Sequence, residues 1–193
     1  ARSGAGGSVG DIGTHAHNLA CFVSGLTVES LAADLQSWGA GRTLDDNAHV
    51  MLRFEGGARG MLWSSQVAPG NENALKLRIY GEKGGLEWAQ EDPNYLWFTP
   101  HGEPKRLLTR GGSGANDAAA TVSRIPGGHP EGYLEGFATI YNEAADAIRA
   151  VQGGADRTGA MGLLPGITAG IEGMQFINAC VTSSKNNAAW TTL

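Results

Sequence analysis

Cysteine is nearly absent from this chain, with Cys21 and Cys180 alone in 193 residues. Two thiols cannot build the multi-bridge framework of a small secreted domain. Both stand among apolar neighbours in segments of helical periodicity. They read as free, buried thiols, and point to a reducing, cytoplasmic compartment. Basic clusters are missing too: 14 Lys and Arg against 19 Asp and Glu give a formal charge of -5. A surface for nucleic acid or an acidic membrane is not expected from that balance. No apolar run is long enough to span a bilayer, and no signal peptide opens the sequence. Neither an internal repeat nor a dividing linker is visible. Residues 1–193 therefore read as one domain, long enough to bury a core. The abrupt opening Ala1-Arg2-Ser3-Gly4 gives the expectation of a fragment.

Glycine, by contrast, is abundant, at 30 residues. Because the segments between glycines are well patterned, this fits many tight turns and not a disordered tail. Gly4-Ala5-Gly6-Gly7-Ser8-Val9-Gly10 fits G-x-G-x-x-x-G, a variant of the phosphate-binding loop. Such a loop works between a strand and a helix N-terminus. Only three residues of this sequence precede Gly4, and Asp11 would set a negative charge where a phosphate should sit. A flexible backbone passing close to substrate or cofactor is the preferred reading.

Gly10 to about Gly25 reads as an amphipathic helix. Asp11, His15, Asn18 and Phe22, spaced i, i+4, i+7, i+11, form one stripe. Ile12, Ala16, Leu19 and Val23 form the adjacent apolar stripe, expected to hold the helix on a core. Gly25 is a natural stop. The residues alone leave two readings of the stripe: Asp11 as a helix cap with His15 at a packing boundary, or the two as a catalytic pair. His15-x-His17 gives no metal site, since residues two apart on a helix point about 200° from each other.

Strands follow. Leu31, Ala33 and Leu35 alternate with polar neighbours up to Trp38. Ala48, Val50, Leu52 and Phe54 alternate with His49, Met51 and Arg53, and Gly56-Gly57 signals a hairpin into 59–67. Leu75, Leu77 and Ile79 lead through a glycine-flanked turn to Leu86 and Trp88, with shorter strands at 95–98 and 105–109. Tight turns between neighbours predict an antiparallel meander. Val50, Leu52, Phe54, Leu77 and Ile79 are expected inward. Met51, Arg53, Trp63, Arg78 and Tyr80 are expected outward, a composition that suits an interface more than a solvated face. Residues 111–128 read as a loop. Pro130 is expected to open the next helix with Glu131 in its first turn, and Leu134, Phe137, Ala138, Tyr141, Ala144 and Ile148 give its periodicity. A last helix, 168–184, is expected to show Ile167, Ile171, Met174, Ile177 and Val181 on one face, with Phe176 and Cys180 beside them. The fold class is α+β: an open-faced, mostly antiparallel β-sheet with helices packed on one face. His129, between glycines and a helix start, could be an ordinary loop histidine or a side chain reaching into a cleft.

The run G-G-S-V-G-D-I-G-T-H resembles the substrate-site helix of the glucose–fructose oxidoreductase/inositol dehydrogenase (Gfo/Idh/MocA) family. Three further stretches match the same family pattern in order: Leu77-Arg78-Ile79-Tyr80-Gly81-Glu82-Lys83-Gly84-Gly85, then Gly128-His129-Pro130-Glu131-Gly132-Tyr133, then Val181-Thr182-Ser183-Ser184-Lys185 closing with Trp190. The resemblance implies the C-terminal domain alone. The Rossmann domain that binds NAD(P) is not in this sequence, nor is the lysine of its Glu-Lys-Pro motif; Glu82-Lys83 lies in a turn and is not that motif. By resemblance Asp11 and His15 are catalytic, and Asn18, His129 and Tyr133 contact a sugar or cyclic polyol. Asn18 departs from the family, many of whose members carry aspartate there.

Oxidising a secondary alcohol requires removal of the hydroxyl proton as hydride leaves the same carbon. A histidine of ordinary pKa, about 6.5, suits that task near neutral pH. A carboxylate one turn away can orient the ring and stabilise the imidazolium. The reading is a domain of an NAD(P)-dependent dehydrogenase, inactive by itself. NAD or NADP would serve the full-length enzyme, and none is expected to bind this fragment. No residue of the chain is assigned to cofactor or metal. The resemblance also implies a homodimer or homotetramer through the open sheet face. The alternative is a non-catalytic carbohydrate-binding or oligomerisation module of the same fold.

Overall fold

The computed structural model describes residues 4–193, the side chain of Thr158 excepted. Ala1–Ser3, which carried the fragment reading, lie outside the described residues. A π-helical turn, Val9–Gly13, runs into helix α1, Thr14–Ser24. Strands β1 (Val28–Gln36), β2 (Asn47–Phe54) and β3 (Arg59–Ser65) follow. Then come β4 (Lys76–Gly81), β5 (Gly84–Ala89), β6 (Tyr95–Pro100) and β7 (Arg106–Thr109). Helices α2 (Asp117–Thr121), α3 (Tyr133–Gln152), α4 (Arg157–Met161) and α5 (Ile167–Lys185) precede a two-residue strand β8, Thr191–Thr192.

The fold is α+β with antiparallel sheets, as the alternation predicts, but the strands divide into two sheets. Their orders are β3-β2-β1-β8 and β4-β5-β6-β7. The chain correspondingly forms two compact units, 1–71 with 167–193, and 72–166. No composition shift marks that division, because the chain leaves the first unit and returns to it through a helix that resembles the others.

In the first unit, Val50, Leu52 and Phe54 of β2 and Leu31 and Ala33 of β1 are buried, while His49 and Met51 face out. Gly56 and Gly57 both have positive φ (76° and 95°), so the β2–β3 hairpin closes where a side chain would be strained. Helix α5 covers this sheet with Phe176, Ala179, Cys180 and Ser183. Of the face expected from periodicity, Ile167 is 82% exposed and Ile171 and Met174 are also exposed, while Ile177 packs against the core. The buried face is richer in small residues because the helix sits close on the sheet. Beyond the short β8, the N–H groups of Ala33 and Leu35 donate to the hydroxyls of Ser183 and Ser184 (2.9 and 3.1 Å). Those serines satisfy the free edge of β1 that β8 is too short to pair. The strand expected to reach Trp38 ends at Gln36 because the Trp38 N–H is taken by the Asp46 carboxylate at 3.0 Å.

In the second unit, Leu77 and Ile79 point to the half-buried face, with Trp88 and Leu86 opposite them in register and Leu96 and Phe98 opposite those in turn. Two expectations are corrected. The 111–128 loop contains the short helix α2, capped by Asn116, whose side chain accepts from the Ala119 N–H. And α3 begins at Tyr133, not Pro130: the Glu135 carboxylate accepts from the Gly132 N–H at 2.9 Å and fixes the start there.

Candidate active site

The polypeptide enters α1 through an internal anion. The Asp45 carboxylate accepts from the N–H groups of Gly7 and Val9 (2.6 and 2.7 Å), and the Asp45 carbonyl accepts from Ser8 N–H at 2.7 Å. A Cβ at Gly7 would lie 2.0 Å from that carbonyl oxygen, so only glycine fits. Ser8, fully buried, donates to the Ser64 hydroxyl on β3 at 3.1 Å. The glycine-rich stretch thus has the donors of a phosphate loop, already committed to Asp45. It is pinned at Gly7–Val9, where sequence predicted flexible backbone.

That anchoring decides which side of the helix looks outward. Asp11, His15, Asn18 and Phe22 are all exposed, a single accessible stripe. The side toward the core is Val9, Gly13 and His17, with Ala16 and Cys21 packed against it, while Val23 of the expected apolar stripe is exposed. His17 is 4% exposed and stacks on Phe176, ring centroids 4.3 Å apart. Burial pulls its pKa down, so it stays neutral, and its Nε2 lies 3.6 Å from Cys21 Sγ. His15 and His17 therefore face opposite environments, and the described residues contain no group of three metal-ligating side chains. The cysteines are free; burial pushes the Cys180 thiol up to about 12 and also raises Cys21. A cavity of about 310 Å³ lies beside His17 and Cys21, bordered by Glu29, Glu55 and Glu172, on the other side of α1 from His15.

Asp11 belongs to the π-helical turn, a distortion frequent at functional sites. It caps no backbone group: its Oδ2 accepts from Gln66 Nε2 at 3.2 Å, and no hydrogen bond joins it to His15. Asp11 is no side-chain cap, though it stands in the first turn, where a carboxylate suits the helix dipole. The pair stands one turn apart on an exposed face, with one Asp11 oxygen engaged and the other without a hydrogen-bond partner among the described residues.

The remaining candidates, His129 and Tyr133, belong to the second unit. His129 is exposed in the segment before α3, and Tyr133, the first residue of α3, is 74% exposed with its ring against Phe137. Glu131, not a helix residue as expected, organises this segment. Its carboxylate accepts from the N–H groups of Arg124 and Ile125 and pairs with Arg110 at 2.7 Å, and Arg110 donates to the His129 carbonyl at 2.7 Å. Asn94 closes the network, accepting from Glu131 N–H and donating to its carbonyl. Sequence reasoning singled out neither Arg110, Asn94 nor Gln66. Each acts across strand register, and no local spacing announces it.

Residues 1–87 match the GFO/IDH/MocA C-terminal domain. An oxidoreductase from Sinorhizobium meliloti is 64% identical over 96% of this chain and 52% of its own, with a TM-score of 0.90. An inositol dehydrogenase homologue from Azotobacter vinelandii, crystallised with NADH and myo-inositol, is 34% identical over all of this chain and 51% of its own, with a TM-score of 0.91. An uncharacterised oxidoreductase of Bacillus subtilis (strain 168) is 34% identical over 94% of this chain and 47% of its own. The chain belongs to the GFO/IDH/MocA family, and it spans about half the length of these relatives.

Proposed function

We propose that this chain is the substrate-binding and catalytic-residue domain of an NAD(P)-dependent dehydrogenase that oxidises a secondary hydroxyl of a sugar or cyclic polyol. The observation that carries the reading is the stripe Asp11, His15, Asn18, held outward by a helix whose opposite side is locked into the core through Val9 and His17. His15 accepts the hydroxyl proton. Asp11, through the oxygen that Gln66 does not hold, orients the ring and stabilises the imidazolium formed. Asn18 hydrogen-bonds a substrate hydroxyl without adding charge, while His129 and Tyr133 are substrate-contact candidates of the second unit taken by itself. The Azotobacter homologue's complex with NADH and myo-inositol supports both the polyol class and a nicotinamide cofactor. The N–H groups of Gly7 and Val9 do not fit a dinucleotide phosphate, since Asp45 fills them. No step is assigned through the cofactor in this chain, which by itself is expected to be inactive.

The test is kinetic. In the full-length enzyme, His15→Ala should lower kcat by roughly two to four orders of magnitude, the range for loss of a general base, and Asp11→Asn should also slow turnover. Near-normal kcat in both variants on the physiological substrate would remove the catalytic assignment and favour a binding or assembly module.

Assembly is part of the same reading. On the first sheet's open face Met51 stands opposite Met61 and His49 opposite Trp63, and all four are exposed. Arg53 lies over the Trp190 ring at 3.6 Å on that face. This composition supports a homodimer or homotetramer through the open sheet face. Sedimentation of the protein at tens of micromolar should give a dimer or larger, and a monomer would count against it.

A further inference from the structure

Gln66 follows the end of β3, where no local spacing marks it. Its backbone N–H donates to the Asp46 carbonyl at 2.7 Å. Its side chain bridges two charged groups. Arg42 Nη1 donates to Oε1 at 3.0 Å, and Nε2 donates to Asp11 Oδ2 at 3.2 Å. A guanidinium can only donate and a carboxylate only accept, so the two neighbours fix which end of the amide faces which. Arg42 is itself placed. Its Nη1 is 3.9 Å from Asp46 Oδ2, its N–H donates to the Gly39 carbonyl, and Ser37 donates to its carbonyl. Asp46 is completely buried, and the N–H groups of Trp38 and Gly39 hold its carboxyl below the usual range, favouring the charged form. A buried carboxylate, a guanidinium, an amide and the Asp11 carboxylate therefore follow one another, joined by an ion pair at 3.9 Å and then two hydrogen bonds.

We propose that Gln66, oriented by Arg42, is the positioning residue of the Asp11–His15 pair: it holds Asp11 Oδ2 so that the other carboxylate oxygen is presented toward His15. This rests on the catalytic reading of the pair. Gln66 meets neither substrate nor cofactor in this role. It acts only through Asp11, and Arg42 acts through Gln66. A neutral donor suits the position, because it restrains a carboxylate without neutralising the charge that His15 needs beside it when protonated.

The experiment uses the full-length enzyme with myo-inositol, or with the sugar or polyol on which it turns over, and three variants. Gln66→Met keeps the length of the side chain and removes the donor. It should lower kcat roughly ten- to a hundredfold, the scale of a misplaced catalytic group, with KM for the polyol changed less than twofold. Gln66→Glu replaces the donor by a second carboxylate beside Asp11. It should move the acid limb of the kcat–pH profile to higher pH, because added negative charge favours the protonated base. Arg42→Lys, which keeps a donor for Oε1, should retain most of the activity that Arg42→Met loses. A role confined to folding would move neither the acid limb nor kcat separately from KM. If Gln66→Met and Gln66→Glu both keep kcat and the acid limb while His15→Ala abolishes turnover, the positioning role is overturned and the catalytic pair stands. If His15→Ala turns over normally, the pair falls, and the role of Gln66 falls with it.

Discussion

The two units of the chain solve the burial problem differently. In the first, Val9, Leu31, Ala48, Phe176 and Cys180 are no more than 1% exposed, and a sheet, the α1 segment and α5 share one continuous core. In the second, Ala147 alone among the described hydrophobic residues is classed as buried. Its sheet offers a half-buried row from Leu77 to Phe98, and α3 leaves Leu134, Phe137, Ile140, Tyr141 and Ile148 exposed. What holds its loops in place is polar: the Arg110–Glu131–Asn94 network, and Lys105 paired with Glu87 at 2.9 Å, which keeps the Glu87 carboxyl below the usual range. The contrast matches the work proposed for each. A proton-transferring helix needs a mount that does not shift, and close packing supplies it. The second unit, which carries no such helix, holds its loops by hydrogen bonds and ion pairs on a less buried scaffold.

The comparison breaks most directly at Phe176. Truncation to alanine removes both a core ring and the surface on which His17 stacks, and should cost about 3–5 kcal/mol, the usual range for a buried phenylalanine. Urea denaturation would measure it, and a loss below about 1 kcal/mol would show the core to be less committed than its burial implies.

Acid should act on the same unit next. Burial lowers the His17 pKa below the ordinary histidine value of about 6.5, so below that pH the unfolded chain takes up a proton that the folded one refuses. Stability therefore falls as pH drops below 6.5 towards the lowered folded value. Asp46, whose folded pKa is depressed by its backbone donors, adds stability that is present above the ordinary carboxylate range and is lost only at lower pH. His17→Phe should flatten the dependence just below neutrality and leave the lower one. Melting temperatures measured across that range check this, and an unchanged slope would remove His17 as its cause.

The smallest effect should come from the second unit. Phe137, 46% exposed on α3, should lose no more than about 1 kcal/mol on truncation to alanine. A loss as large as that of Phe176, in the same denaturation assay, would mean that the helix face is covered in solution and would remove the contrast.

Much of this was legible beforehand, for reasons of period and local chemistry. Strict alternation placed Val50, Leu52 and Phe54 inside, because side chains in a strand have only two directions. The spacing of Asp11, His15 and Asn18 defined an accessible stripe, because four residues make about one helical turn. The motif run at 6–15 carried the family resemblance by residue type and order alone. The phase of α5 was not legible. A helix with apolar residues on several sides can bury any of them, and the close approach of the sheet chose Phe176, Ala179 and Cys180 over Ile167, Ile171 and Met174.

Local sequence determined the element types, the turns at Gly25 and Gly56-Gly57, the antiparallel meander and the Asp–His pair, since each depends on residues within one turn or one hairpin. Tertiary structure alone decided the rest. It split the strands into two sheets, gave the glycine-rich amides to Asp45, set Glu131 against Arg110, and brought Gln66 to Asp11 across 55 positions of chain. These are contacts between residues far apart in sequence, and only the register of strands and the seating of helices brings their polar atoms within hydrogen-bonding distance.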